Sequence, residues 1–208
     1  MAKKTVKKTA KKDDKKEAPK GVPPEVQEKL KAIKEKLDKF SKAIVEKFDK
    51  YIAGVALLPP PRPPAPNLPP EILAEEKKRY EQEKDKFHTL VLVDDNEPTK
   101  MSKLELRDKI NAILMSTAKD IDKNIVPQVV LISQLWQNCF DQKYDLLRLI
   151  SMSAPIYDTG MLGAVRIAEL HKTMVLKKFE KYIVSYVMGG SLVQGKATKD
   201  LTLMFSLL

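Results

Sequence analysis

Phe87-His88-Thr89-Leu90-Val91-Leu92-Val93 is the clearest strand in the chain, and it runs into Asp94-Asp95-Asn96-Glu97-Pro98. Its apolar character is nearly continuous, the pattern of an interior strand covered on both faces. Such a strand needs helices above and below it. The stretch therefore commits the chain to an α/β fold around a mixed sheet.

Working upstream, the segment from Glu71 to about Lys86 is highly charged, with Ile72, Leu73 and Tyr80 as its few apolar contacts, and reads as a mostly exposed helix. Before it, eight of the twelve residues from Pro59 to Pro70 are proline. That insertion cannot join a sheet and is expected as extended polyproline II, either a stiff spacer or a segment offered to a protein partner with Arg62 as a charged contact. Tyr51 to Leu58 has the length of a strand. Val26, Leu30, Ile33, Leu37, Phe40, Ile44 and Phe48 recur every three or four residues, which predicts a long amphipathic helix over 24–49.

Downstream, Ser102 or Thr99 is expected to cap a helix whose core face is Leu104, Ile110, Ile113 and Leu114. Val126 to Ile132 reads as a second core strand. Ser133 is placed as the cap of a short segment carrying Leu135, Trp136 and Phe140, the aromatic pair being read as core packing. A further helix covers Tyr144 to Ile150. Pro155 and Gly160 break the chain around Ile156-Tyr157-Asp158. Leu162, Val165, Ala168 or Glu169, and Val175 then lie on a helix reaching about Phe179.

The totals narrow the function classes. With 208 residues and 43% hydrophobic content the chain can bury a real core. The net charge is +10, and nine lysines against Asp13, Asp14 and Glu17 place six of those ten charges in the first twenty residues. Residues 1–22 are expected as a disordered basic tail, either solubilising or a salt-sensitive nucleic-acid contact. The single cysteine, Cys139, excludes an internal disulfide and fits a cytoplasmic setting; it reads as buried and inert. No run approaches the roughly 18 apolar residues of a membrane span, so no membrane association is expected. His88, His171 and Cys139 lie too far apart for a structural zinc pattern.

A repeat organises the rest. Lys47-Phe48-Asp49-Lys50-Tyr51-Ile52 recurs as Lys178-Phe179-Glu180-Lys181-Tyr182-Ile183, each closing an amphipathic helix and opening a strand. After the second copy comes Gly189-Gly190-Ser191-Leu192-Val193-Gln194-Gly195-Lys196-Ala197-Thr198-Lys199-Asp200, a glycine-punctuated basic turn suited to phosphate oxygens.

The fifteen residues from Tyr186 to Asp200 resemble the loop of the polymerase-beta-like nucleotidyltransferase superfamily. That family carries a Gly-Ser, a nearby Gly, and then a strand opening on two carboxylates one residue apart. The resemblance implies nucleotide binding at Gly190, Ser191, Gly195, Lys196 and Lys199, and a catalytic, metal-binding acid at Asp200 with magnesium as the ion. Thr202 stands where the second acid belongs, so two-metal transfer is expected to be lost or impaired.

Aligned on the same pattern, Phe87 to Asp95 is similar to the family's second strand, with Lys86 and His88 in the places of its carboxylates and the proline-rich insertion in place of its loop. Residues 23–174 are then a degenerate nucleotidyltransferase-like domain, and 175–208 the start of a truncated second unit. Asp94, Asp95 and Glu97 are candidate metal ligands beside a solvent-turn alternative. His88 is given no catalytic role. The resulting expectation is a catalytically inactive or impaired nucleotidyltransferase-like protein that binds nucleotide or nucleic acid. The alternatives are a non-enzymatic interaction or scaffold protein using the long helix, polyproline segment and basic tail, or an active metal-dependent nucleotidyltransferase.

Overall fold

A computed structural model describes residues 24–48, 51–96, 101–190 and 201–207. The basic tail of residues 1–22 lies outside them. The first helix, α1 (Pro24–Phe48), leads to β1 (Ile52–Leu57), and an exposed helix α2 (Pro70–Glu83) precedes β2 (Phe87–Val93). Then follow α3 (Lys103–Ile121), β3 (Ile125–Leu131), α4 (Ile132–Phe140), α5 (Asp145–Met152), β4 (Ala154–Asp158), α6 (Met161–Phe179), β5 (Ile183–Gly190) and β6 (Leu201–Leu207).

The main sheet is four-stranded and mixed, in the order β3-β2-β1-β4. The strand β2 runs parallel to β3 and antiparallel to β1, which is antiparallel to β4. Both faces of β2 are covered, and its residues divide between two cores by alternation. Leu90 and Leu92 join Ala53, Ala56, Ile132, Leu135, Leu147, Ile150, Met161 and Val165 under α4, α5 and α6. Val91 and Val93 join Leu37, Phe40, Ile44, Ile52, Val55, Ile110 and Leu114 under α1 and α3. This is why the strand reads as one apolar run. Each fully buried side chain of this size contributes roughly 1.5–3 kcal/mol, so the two cores fix the three layers.

The amphipathic reading of α1 holds over its later turns, where Leu37, Phe40 and Ile44 are buried, whereas Leu30 of the expected stripe is exposed. Ser102 caps α3, its hydroxyl accepting the Glu105 amide at 3.2 Å. Three expectations need correction. The core face of α3 is Ile110, Leu114, Thr117 and Ala118, while Leu104 and Ile113 are exposed. Phe140 is 85% exposed rather than packed with Trp136, because the buried face of α4 is set by Ile132 and Leu135. The break around Ile156-Tyr157-Asp158 is the strand β4, which among the described residues has β1 as its one sheet neighbour; Pro155 is tolerated there because an edge strand leaves one side of its backbone free.

A bulge shapes β1. Its register with β2 shifts between Ile52 and Gly54, turning both Ala53 and Gly54 toward α6. The start of α6 is anchored by Asp158, whose Oδ1 accepts the amides of Gly160 and Leu162, each at 2.9 Å, and whose Oδ2 accepts that of Gly163 at 2.8 Å.

The terminal strands do not join the main sheet. They form an antiparallel pair of their own whose register copies that of β1 with β2. Ile52 pairs with Val93, and Gly54, Val55, Ala56 and Leu57 pair with Leu92, Val91, Leu90 and Thr89. Ile183 pairs with Leu207, and Ser185, Tyr186, Val187 and Met188 pair with Ser206, Phe205, Met204 and Leu203. Each series slips once, just after its opening isoleucine. The helix before each pair is placed alike: Leu37 and Phe40 of α1 share a core with Val55. At the equivalent positions of α6, the Ala168 carbonyl and the His171 ring meet Tyr186. The sequence boundary near residue 175 falls within α6, which serves the first core with its early turns and β5 with its later ones.

Candidate functional site

The two strand pairs share a register, so the segments that connect their strands leave from corresponding points. In the second unit the connecting segment lies between β5 and β6. In the first unit it is everything from Leu58 to Lys86, where the Leu58 amide still donates to the His88 carbonyl at 2.8 Å before the two strands part. Above that fork lies a cleft of about 400 Å³ lined by Pro61, Arg62, Glu76, Arg79, Tyr80, Glu83 and His88.

Its walls follow from local rules. The expected extended run does not reach Pro70: residues 66–68 turn, with the Leu68 amide donating to the Ala65 carbonyl at 3.4 Å, and Pro70 starts α2, where its missing amide is not needed. Glu76, Arg79, Tyr80 and Glu83 then fall at i, i+3, i+4 and i+7 on one face of α2. No residue of α2 is buried, so this face is polar. His88 stands on the floor, at the start of β2, with its Nε2 2.7 Å from Glu83 Oε2. Lys86 Nζ lies 2.7 Å from Glu83 Oε1. The hydrogen bond from Lys86 holds the Glu83 carboxyl below its ordinary range and His88 adds to this, while partial burial pushes the other way. The Glu83 carboxylate thus faces both Lys86 and His88, and the cleft offers the guanidinium groups of Arg62 and Arg79 beside the phenol of Tyr80.

His88 lines this cleft, and Lys86 is joined to it through Glu83. Asp94 and Asp95 are not at the cleft. They follow the far end of β2, about 20 Å from His88 by strand rise. Asp94 Oδ1 accepts the Asn96 backbone amide at 3.0 Å and its side-chain amide at 2.8 Å. Asp95 accepts the Ser133 amide at 2.9 Å and the Ser133 hydroxyl, and lies 3.1 Å from Lys103 Nζ. Ser133 is therefore not the cap of α4 expected from sequence; it lies one residue inside the helix, and Asp95 caps it from across the sheet. Among the described residues no group of three or more His, Cys, Asp or Glu could hold a metal ion.

Gly190 ends β5, paired with Leu201. Glu97, Ser191, Gly195, Lys196, Lys199 and Asp200 lie outside the described residues. Cys139 is half-buried, and burial pushes its thiol up, opposed by Lys172 and reinforced by Glu169; a thiol kept protonated is a poor nucleophile.

Sequence reading missed the cleft. The signal was present in the i, i+3, i+4, i+7 polar set on α2, but nothing in a proline run says that it folds back along that face.

Comparison with family models, with characterised proteins and with solved structures found no match. Among the described residues no helix is long and apolar enough to cross a membrane.

Proposed function

We propose that this chain is a nucleotidyltransferase-like protein that holds a nucleotide without transferring it. The observation that carries the reading is a coincidence of position. The glycine-serine loop that resembles the family joins β5 to β6, and the equivalent connection between β1 and β2 borders the Arg62–Arg79 cleft. Two separate lines, a sequence resemblance in one unit and a polar cleft in the other, fall on the same point of one repeated motif.

In this reading Arg62 and Arg79 donate to phosphate oxygens, each able to give two parallel hydrogen bonds. Tyr80 offers an aromatic face with a hydroxyl at its rim. Glu83 holds the His88 ring in place at the floor. The residues present do not fit a resident two-metal centre, because Lys86 and His88 occupy the acid positions and the oxygens of Asp95 are taken by Ser133 and Lys103. Magnesium enters only as the counter-ion of the nucleotide's phosphates, and no transfer step is assigned.

Calorimetric titration with magnesium and ATP or CTP tests this. The wild-type protein is expected to bind, and Arg62→Ala with Arg79→Ala to weaken binding at least tenfold while leaving the circular dichroism unchanged, since both side chains are exposed. No heat from folded wild-type protein, or equal affinity in the double variant, overturns the site. Radiolabel transferred from the nucleotide to any acceptor overturns the inactive assignment.

A further inference from the structure

A second cavity, of about 830 Å³, lies between α4, α5 and α6 on one side and β5 on the other. Its helical wall includes Trp136, Phe140, Tyr144 and Leu147. Its other wall is five successive residues, Ile183 through Val187. Side chains alternate between the faces of a strand, so a cavity lying on one face would touch every second residue. One that touches all five runs beside the strand, along an edge of its backbone. The other edge of β5 is taken by β6. The cavity therefore follows the free edge.

The first unit shows what such an edge receives. In β1, the equivalent of β5, it is occupied by β4, which adds antiparallel from Gly54 to Leu57. Among the described residues β5 has no strand in that place. We propose that this edge is the interface of a homodimer, in which β5 of a second copy adds antiparallel to give one continuous sheet, β6-β5-β5-β6.

Three features select a second copy as the occupant. The edge calls for an antiparallel neighbour, and a two-fold axis perpendicular to the strands brings the same edge of a second copy against it antiparallel. The cavity wall is largely apolar and calls for an apolar strand, and Ile183-Val184-Ser185-Tyr186-Val187 is itself one, with Val184 62% and Val187 49% exposed. No residue from Ile183 to Gly190 is charged, so two copies of the strand meet without repulsion although the whole chain carries +10. The pairing depends on the β5 edge alone and stands or falls independently of nucleotide binding.

The test is light scattering coupled to size exclusion on the full chain, with reductant present so that Cys139 cannot cross-link it. A species at twice 23.6 kDa is expected, dissociating on dilution. The double variant Val184→Lys with Val187→Lys places charges on the edge and is expected to be monomeric with unchanged circular dichroism. As a second readout, hydrogen exchange of the wild-type β5 peptide is expected to slow as protein concentration rises. A wild-type monomer across the accessible concentrations, a dimer that survives the double variant, or β5 exchange independent of concentration would overturn the interface.

Discussion

The carboxylate of Asp95 accepts both the backbone amide of Ser133, at 2.9 Å, and its hydroxyl, across 38 residues of chain. This contact ties the end of β2 to the first turn of α4, an end at which no local side chain caps the helix. Lys103, at the start of α3, closes the set at 3.1 Å, and the Asp95 side chain is only 1% exposed.

Asp95 therefore stabilises the fold with a defined pH dependence. Burial alone would raise its pKa, but the hydrogen bonds from the Ser133 hydroxyl and amide, with Lys103, outweigh it and hold the carboxyl below its ordinary range. A group depressed in the folded state contributes fully above its unfolded pKa, about 3.9, and loses that contribution as pH falls through the folded value. Asp95→Asn is expected to cost about 2 kcal/mol at neutral pH, as for hydrogen bonds to a charged group. Urea unfolding over a pH series checks this: the gap between wild type and variant should close below about pH 4. Asp122, also held low by Lys36, titrates in both proteins and cancels in the difference. A gap that persisted unchanged into acid would show that the charge contributes nothing.

Gly54 is fixed by the close approach of β1 to α6. A Cβ there would lie 2.6 Å from Leu162 Cδ1 and 2.7 Å from its Cγ. Leu162 is 4% exposed, and a clash at its branch carbon is not relieved by turning the tip of the side chain. Gly54→Ala is expected to cost about 1–3 kcal/mol by overpacking. Leu162→Ala opens a cavity at a cost of about 2–5 kcal/mol. Because the new methyl would fill part of that cavity, the double variant should be more stable than the two single losses predict. Strict additivity in denaturant unfolding would show that the two sites do not meet.

How much of this was legible depended on whether burial left a period in the sequence. Phe87 to Val93 could be read as an interior strand because both its faces are covered, and α1 because one of its faces is. Ala154 to Asp158 could not be, since an edge strand with one neighbour and a proline leaves too short and mixed a pattern. Phe140 and Leu104 were misplaced for a related reason. Each follows the spacing of a helix loosely but sits well off the stripe set by Leu135, or by Ile110 and Leu114. The role of Ser133 was hidden because its partner is on another element. The repeat of Lys47 to Ile52 at Lys178 to Ile183 was legible as sequence, whereas the copied bulge and register of the strands that follow are properties of pairing, which no single stretch encodes.

Glu169 and Lys172 form the most buried charge pair seen among the described residues, 2.5 Å apart with side chains 7% and 12% exposed. Lys172 Nζ also sits 4.3 Å from the centre of the Tyr144 ring, so the pair joins α6 to the start of α5. Both charges have left water, and each is offset chiefly by the other. Removing one should be far worse than removing both, because the survivor is left buried and uncompensated. Lys172→Met is expected to cost about 3–5 kcal/mol, and Glu169→Leu with Lys172→Met to return to within roughly 1 kcal/mol of wild type or exceed it. Urea denaturation of the two variants against wild type decides the matter. A double variant as unstable as the single one would mean that the pair holds α5 to α6 by a contact that apolar side chains of similar volume do not replace.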